Sequence, residues 1–178
     1  MSEHARPASE GAGSGQGHEE FVEPTRDEIP AISRQHVAGM ESSDADQVWE
    51  IAGMWHVLVH TVGRKSGNLH KVALPYWQDP DGHRVVVGSF SGAPQHPAWY
   101  LNLADRTANP EVLIREQGRL YWAEAQILDG EEYQRTWAGL TADRAYYNDY
   151  QSRTDRRLPL VRFVHKRDAD PAQVPGAS

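Results

Sequence analysis

Trp55-His56-Val57-Leu58-Val59-His60-Thr61-Val62-Gly63-Arg64-Lys65-Ser66-Gly67 joins an alternating apolar run to a polar turn. Trp55, Val57 and Val59 alternate with His56, Leu58 and His60, the period of two that a pleated strand imposes. The polar run 63–67 then reverses the chain into a second strand, expected at about 69–77. Asp79-Pro80-Asp81-Gly82 makes the next turn, because Pro presets φ and Gly accepts the position other residues avoid. Val85-Val86-Val87 lies at the centre of a third, buried strand over 84–89.

Beyond this hairpin pair the pattern changes period. Pro97 suits the first turn of a helix, and Trp99 with Leu103 gives it an apolar pair one turn apart. Asn109-Pro110 punctuates, and two strands at about 111–116 and 119–128 are joined by Gln117-Gly118. Asp129 is placed to cap a helix with Glu132 as its reciprocal partner, and Tyr133, Trp137 and Leu140 mark the buried face. After Asp143 comes an aromatic segment with Tyr146, Tyr147 and Tyr150, and 158–164 closes as a strand. Upstream, 27–50 is weakly helical with a break at Ser42-Ser43-Asp44. Six strands, two hairpins and interspersed helices do not alternate as βαβ units. They predict an α+β, mainly β fold: a mostly antiparallel sheet closed as a small barrel with flanking helices.

The chain has 178 residues, enough for one core, and divides into three parts. Residues 1–26 read as a disordered acidic tail, 27–166 as the barrel domain, and 167–178 as a flexible end. Of the formal charge of −7, residues 1–30 carry −5 and the rest only −2, so nothing global favours nucleic acid. Cysteine is absent, which excludes disulfides, thiolate metal sites and cysteine nucleophiles. No run approaches the roughly 18 apolar residues of a membrane span. The first twenty residues lack a secretory pattern, and a cytoplasmic location is expected.

Three segments suit chemistry. Arg64 and Lys65 between glycines offer cations and amides to a phosphate, although such turn tips are also ordinary solvated hairpin ends. Ser89-Phe90-Ser91-Gly92-Ala93-Pro94 connects a strand to a helix start, which suits an anion or simply a tight connection. Tyr147 and Tyr150 share a helical face and read as a wall over a planar ligand, or as core. The neighbouring Arg153, Arg156 and Arg157 read as a solvated face or as an attractor for an anionic tail. A metal site from His56, His60 and His70 is conceivable, but no supporting ligand motif accompanies them, and none is expected. There is no Gly-x-Ser-x-Gly elbow, no phosphate-binding lysine loop and no dinucleotide fingerprint.

The five blocks 61–67, 89–93, 97–103, 108–112 and 149–156, in that order, resemble the deazaflavin-dependent nitroreductase family over about 55–164. The resemblance implies a split β-barrel that binds coenzyme F420, with flavin mononucleotide a lesser alternative. It implies hydride transfer to a small-molecule acceptor: a quinone, a nitroaromatic or an enone. Carried over, Arg64 and Lys65 would meet the coenzyme's phosphate or acidic tail, and Ser89, Gly92 and Ala93 the phosphate and ring edge. Trp99 and Asn102 would support the pocket, Pro75 and Tyr76 would line the ring's other side, and Tyr147 and Tyr150 would wall the acceptor. Ser89 or a wall tyrosine would hydrogen-bond the charge building on the acceptor. Two departures stand out: Phe90 occupies a position where relatives carry Lys, with Lys71 a candidate substitute, and Arg144 aligns with the first wall tyrosine. A haem- or flavin-binding barrel and a non-catalytic carrier remain the competing readings, and the oligomeric state, monomer or dimer, stays open.

Overall fold

The computed structural model describes residues 27–174, so the tail expected at 1–26 lies outside the described residues. Helices α1 (Ile29–Ser42) and α2 (Asp46–Trp49) lead into strands β1 (Glu50–Ile51) and β2 (Met54–Val62). Next come β3 (Leu69–Pro75), β4 (Trp77–Gln78), β5 (Arg84–Val87) and α3 (Ala98–Ala104). The remainder is β6 (Val112–Glu116), β7 (Arg119–Ile127), α4 (Gly130–Asp143), α5 (Tyr146–Ser152) and β8 (Leu160–Asp168).

Every ladder is antiparallel, along the path β1-β2-β6-β7-β8-β5-β4, with β3 also paired to β2. The sheet curls because 69–78 is one run that changes partner. Leu74 sits opposite Val57 on β2, whereas Trp77 sits opposite Val85 on β5. The expected single strand over 69–77 therefore breaks at Tyr76, whose N–H donates to the Trp55 carbonyl (3.0 Å) and whose carbonyl accepts from Arg144 Nη2 (2.8 Å). The outcome is the split barrel, mainly antiparallel, with helices outside.

Alternation fills this barrel from alternate positions. Val57, Val59, Val86, Ile114, Ala123, Val161 and Phe163 face one interior cluster. The intervening residues are not left to water. Leu58 lies under Met40 and Trp49 from α1 and α2, while Val85 and Leu160 lie under Tyr133, Leu140 and Tyr147 from α4 and α5. Each fully buried aliphatic or aromatic side chain contributes about 1.5–3 kcal/mol, so both faces of β2 and β5 are stabilised.

Two local expectations fail for a common reason. Asp129 occupies the N-cap of α4 but makes no capping bond; it accepts from Arg157 Nη2 at 2.8 Å. Its proposed partner Glu132 accepts from Arg162 Nη1 at 2.6 Å. Charge-assisted bonds to a guanidinium outcompete bonds to a neutral amide. At the other end, β8 passes the strand end expected at Val164 and runs to Asp168, so Arg167 and Asp168 are paired with Trp122 and Tyr121 and are not loose tail. Arg167 also lies over the Trp122 ring and bonds Glu111 at 2.6 Å, which extends the ladder.

Candidate functional site

Where the chain changes partner, β3 and the end of β5 separate, and a cavity of about 650 Å³ opens between them. The turn after β2, the length of β3, the segment after β5, the start of α3, the first turns of α1 and Tyr147 enclose it.

The turn after β2 is fastened from behind. Gly63 N–H donates to Asn68 O and Gly67 N–H to Gly63 O, both at 2.8 Å. A Cβ on Gly63 would lie 2.6 Å from Ser66 Oγ and 2.7 Å from His70 Nε2, so a larger residue would displace both side chains. Two buried asparagines hold this turn to α3. Asn109 Oδ1 accepts from Val62 N–H (2.7 Å), and its Nδ2 donates to Val62 O and Asn102 O (2.8 Å each). Asn102 Oδ1 accepts from the Arg64 amide (3.3 Å) and from Arg64 Nη1 (3.1 Å). Arg64 and Lys65 are thereby exposed at the mouth, and Lys65 has no carboxylate partner among the described residues. Asn109 was legible only as punctuation before Pro110; no local signal marked its side chain as a latch.

The facing segment is strained. Phe90, Ser91 and Gly92 have φ of 45°, 51° and 73° in succession, the left-handed region that costs roughly 1–3 kcal/mol for a residue with a Cβ. Gly92 allows the close approach of α5, since a Cβ there would sit 2.6 Å from Tyr150 O. Arg156 holds the rest: Nη1 donates to Gly88 O (2.9 Å), Nη2 to Ser89 O (2.7 Å) and Nε to Ala93 O (2.8 Å). With these carbonyls drawn to one side, Ser89 in the right-handed region and Phe90 in the left-handed one turn successive amides toward the other. That succession is a concave anion cradle. Of the three arginines expected as a solvated face or an attractor for an anionic tail, Arg156 is thus a half-buried fastener, while Arg153 and Arg157 are exposed. Arg153 lies over the Tyr150 ring and contacts Ser91 O (3.4 Å), and Arg157 lies over Tyr133 and bonds Asp129. A loop that presents carbonyls needs donors.

Of the residues expected at the site, Arg64, Lys65, Pro75, Ser89, Trp99, Asn102 and Tyr147 line the cavity. Four do not. Gly92 and Ala93 are buried behind the loop they shape, and Tyr150 packs edge-on against Tyr146 and Tyr147. Tyr76 lies under the Arg84 guanidinium (4.9 Å), beside the Arg84–Glu116 ion pair (3.0 Å). Pro75 is the last residue of β3, and Tyr76 follows where the run turns toward β5, its ring packed on the interior cluster. Lys71, the candidate substitute for the missing lysine, is ion-paired with Glu41 of α1, so its charge is already engaged. Phe90 itself is a wall residue. Burial and the adjacent Tyr146 push the Tyr147 phenol well above its ordinary range, so it stays a hydrogen-bond donor.

The three histidines do not meet. His56 Nδ1–H donates to Met54 O (2.9 Å) with its ring edge-on to His36, His60 Nδ1–H donates to Leu113 O (3.2 Å), and His70 sits at the cavity rim. The cluster of metal-ligand types found among the described residues is Asp79, Asp81 and His83. There Asp79 caps the amides of residues 81 and 83 and bonds Arg162 Nε at 2.9 Å, so it serves the turn. Burial, with His36 and Arg144 adding, lowers the His56 pKa to about 4. The folded state thus refuses a proton that the unfolded chain binds below about pH 6.5, and stability is present above that pH and lost as it falls. We expect a loss of up to about 3 kcal/mol between pH 6.5 and 4 from this group, with His60 adding in the same direction. Denaturation midpoints measured across that range should fall, and His56→Gln should flatten the fall.

One side of the cavity is cationic and rich in amides; the other, made by Leu74, Pro75, Trp99 and Tyr147, is apolar and aromatic. Such a cleft fits a planar ring carrying an anionic tail.

Comparison with known proteins agrees with that fit. The family model for F420H(2)-dependent quinone reductase matches residues 32–165. An F420H(2)-dependent quinone reductase of Mycobacterium tuberculosis is 34% identical over 108 residues, covering 59% of this chain and 70% of the relative. A solved F420-H2 dependent reductase is 33% identical, with a TM-score of 0.52, covering 61% of this chain and 93% of that one. A second solved structure, described as a domain-swapped dimer, is 28% identical with a TM-score of 0.55, covering 78% and 98% respectively. No helix among the described residues is long and apolar enough to cross a membrane.

Proposed function

The chain belongs to the F420H(2)-dependent quinone reductase family, and from that premise we propose that its barrel split holds coenzyme F420 and reduces a quinone. The observation that carries this reading is the convergence of two anion-suited turns on one aromatic cleft. When bound, the reduced deazaflavin supplies the hydride; the protein supplies placement and electrostatics. Arg64, Lys65 and the amides of 89–91 grip the anionic tail. Trp99 and Pro75 flank the ring, and Asn102 keeps the cationic turn seated. Ser89 and Tyr147, which both line the cleft, are the hydroxyl-bearing residues we assign to donate to oxygen on the acceptor, where charge builds. Gly92 and Ala93 act from behind, by giving the loop its shape. Nitroaromatics and activated alkenes also accumulate charge on an outer oxygen during hydride transfer, so the proposal extends to them.

The test is oxidation of the reduced coenzyme by the purified protein on adding a soluble quinone, read as return of coenzyme fluorescence. A protein that binds the coenzyme but turns over no quinone, nitroaromatic or enone is a carrier, and the reductase reading fails.

Charge at the mouth gives a graded prediction. A charge-assisted contact is worth about 1.5–3 kcal/mol, so Lys65→Ala should weaken coenzyme binding roughly ten- to a hundredfold. Phe90→Lys should tighten it by about tenfold, because Lys tolerates the left-handed φ no worse than Phe does. Fluorescence titration of the two variants checks both signs.

A further inference from the structure

We propose that Arg144 is a positioning residue for the acceptor: its half-buried guanidinium, beside Tyr147, supplies the positive charge that backs the phenol against the anion formed on the acceptor oxygen. This rests on the quinone reduction argued above.

The geometry begins at the end of α4. Arg144 is its C-cap, with the backbone N–H on Leu140 O (2.8 Å), and Tyr147 follows on the next turn, its N–H on Arg144 O (3.2 Å). One arm of the guanidinium, Nη2, donates to Tyr76 O at 2.8 Å, the point where the 69–78 run changes partner. That bond fixes the fork. The other arm, Nη1, is shut away from solvent and has no hydrogen-bond partner among the described residues. Leaving a guanidinium N–H buried and unmatched is unfavourable, and the group that the guanidinium reaches is the Tyr147 phenol, whose ionisation it favours. Among the described residues Arg144 forms no ion pair, and the adjacent Asp143 accepts instead from Trp77 Nε1 at 2.7 Å. Tyr147, Tyr76 and His56 all feel the charge of this guanidinium. Tyr147, only 3% exposed, lines the cleft on its other side.

The chemistry calls for a cation at this place. In quinone reduction a C–H bond of the reduced deazaflavin breaks, and the hydrogen passes to the quinone with both electrons. The deazaflavin is oxidised, and the acceptor becomes a hydroquinone monoanion that then takes one proton from solvent. Before that proton arrives the charge rests on an oxygen at the Tyr147 hydroxyl. A phenol backed by a guanidinium is a stronger donor to an anion than a phenol alone, and in a dry pocket the difference is large.

The experiment needs no turnover. Affinities of the purified protein for 4-nitrophenolate and for its neutral isostere 4-nitroanisole are measured by calorimetry, for wild type, Arg144→Gln and Arg144→Lys. The anion mimics the hydroquinone monoanion. Wild type should prefer the anion, Arg144→Gln should lose roughly ten- to a hundredfold of that preference with the neutral ligand unchanged, and Arg144→Lys should keep most of it. Equal loss for both ligands, no loss, or no anion preference in wild type overturns the proposal. Should Arg144→Gln not fold, Arg144→Lys decides: retention of the anion preference supports the charge, and a tenfold loss overturns it. In parallel, kcat across quinones of falling reduction potential should depend more steeply on potential in Arg144→Gln than in wild type. Wild type that oxidises no reduced coenzyme sinks the reductase reading; normal turnover with an unchanged anion preference sinks this one.

Discussion

Asn109→Ala should destabilise the fold by about 3–5 kcal/mol, a large share of the roughly 5–15 kcal/mol that holds a domain together. The side chain is 2% exposed and makes three bonds: from Val62 N–H, to Val62 O and to Asn102 O. Alanine removes all three and leaves buried backbone groups without water to replace the amide, each at about 1–3 kcal/mol. The loss is local in geometry, because Asn102 is then free to shift and Arg64 loses its seat. Urea unfolding should show a lower midpoint with an unchanged slope, and coenzyme affinity should fall with it. Asn109→Asp separates the contributions: it keeps the acceptor for Val62 N–H, loses both donors and places a carboxylate against two carbonyls, so it should be no better than alanine.

The second large effect belongs to Arg156. Arg156→Ala removes the donors to the carbonyls of residues 88, 89 and 93. Phe90 and Ser91 then have little to hold them at positive φ, and the loop relaxes toward ordinary backbone. The amide cradle is lost with it. We expect coenzyme affinity to fall at least about a hundredfold, close to 3 kcal/mol, with a smaller loss of overall stability, since the core clusters are untouched. Arg156→Lys restores at most one of the bonds and should recover only part of the affinity. A variant that binds the coenzyme as wild type does would show that the loop is held by its own packing and by Gly92.

What was legible in the chain follows from what is periodic. Trp55, Val57 and Val59 marked β2 by their alternation, and the unbroken run Val85-Val86-Val87 marked β5 as a strand buried on both faces. The two-residue strands β1 and β4 were not, since two residues carry no period. The change of partner at Tyr76 was hidden for a different reason: it depends on Arg144, 68 positions away. The same holds at the site. Arg64, Lys65 and Ser89 were found by composition and order, as cations and small residues in turns. Their fasteners were not, because Asn109 and Arg156 act through long-range bonds to backbone that no local pattern records. Tyr76 and Tyr150 miss the cavity for reasons that family position does not record: Tyr76 stands just past the end of β3, and the Tyr150 ring packs on Tyr146 and Tyr147.

Backbone amide hydrogen exchange with and without oxidised coenzyme F420 tests the central claim, that the split in the barrel grips this coenzyme between two turns. Protection should rise at residues 63–67 and 89–93, with weaker protection along β3 at the cleft wall and none in the loop 79–83 at the far side of β5. Protection confined to any other surface, or none at saturating coenzyme, would contradict it.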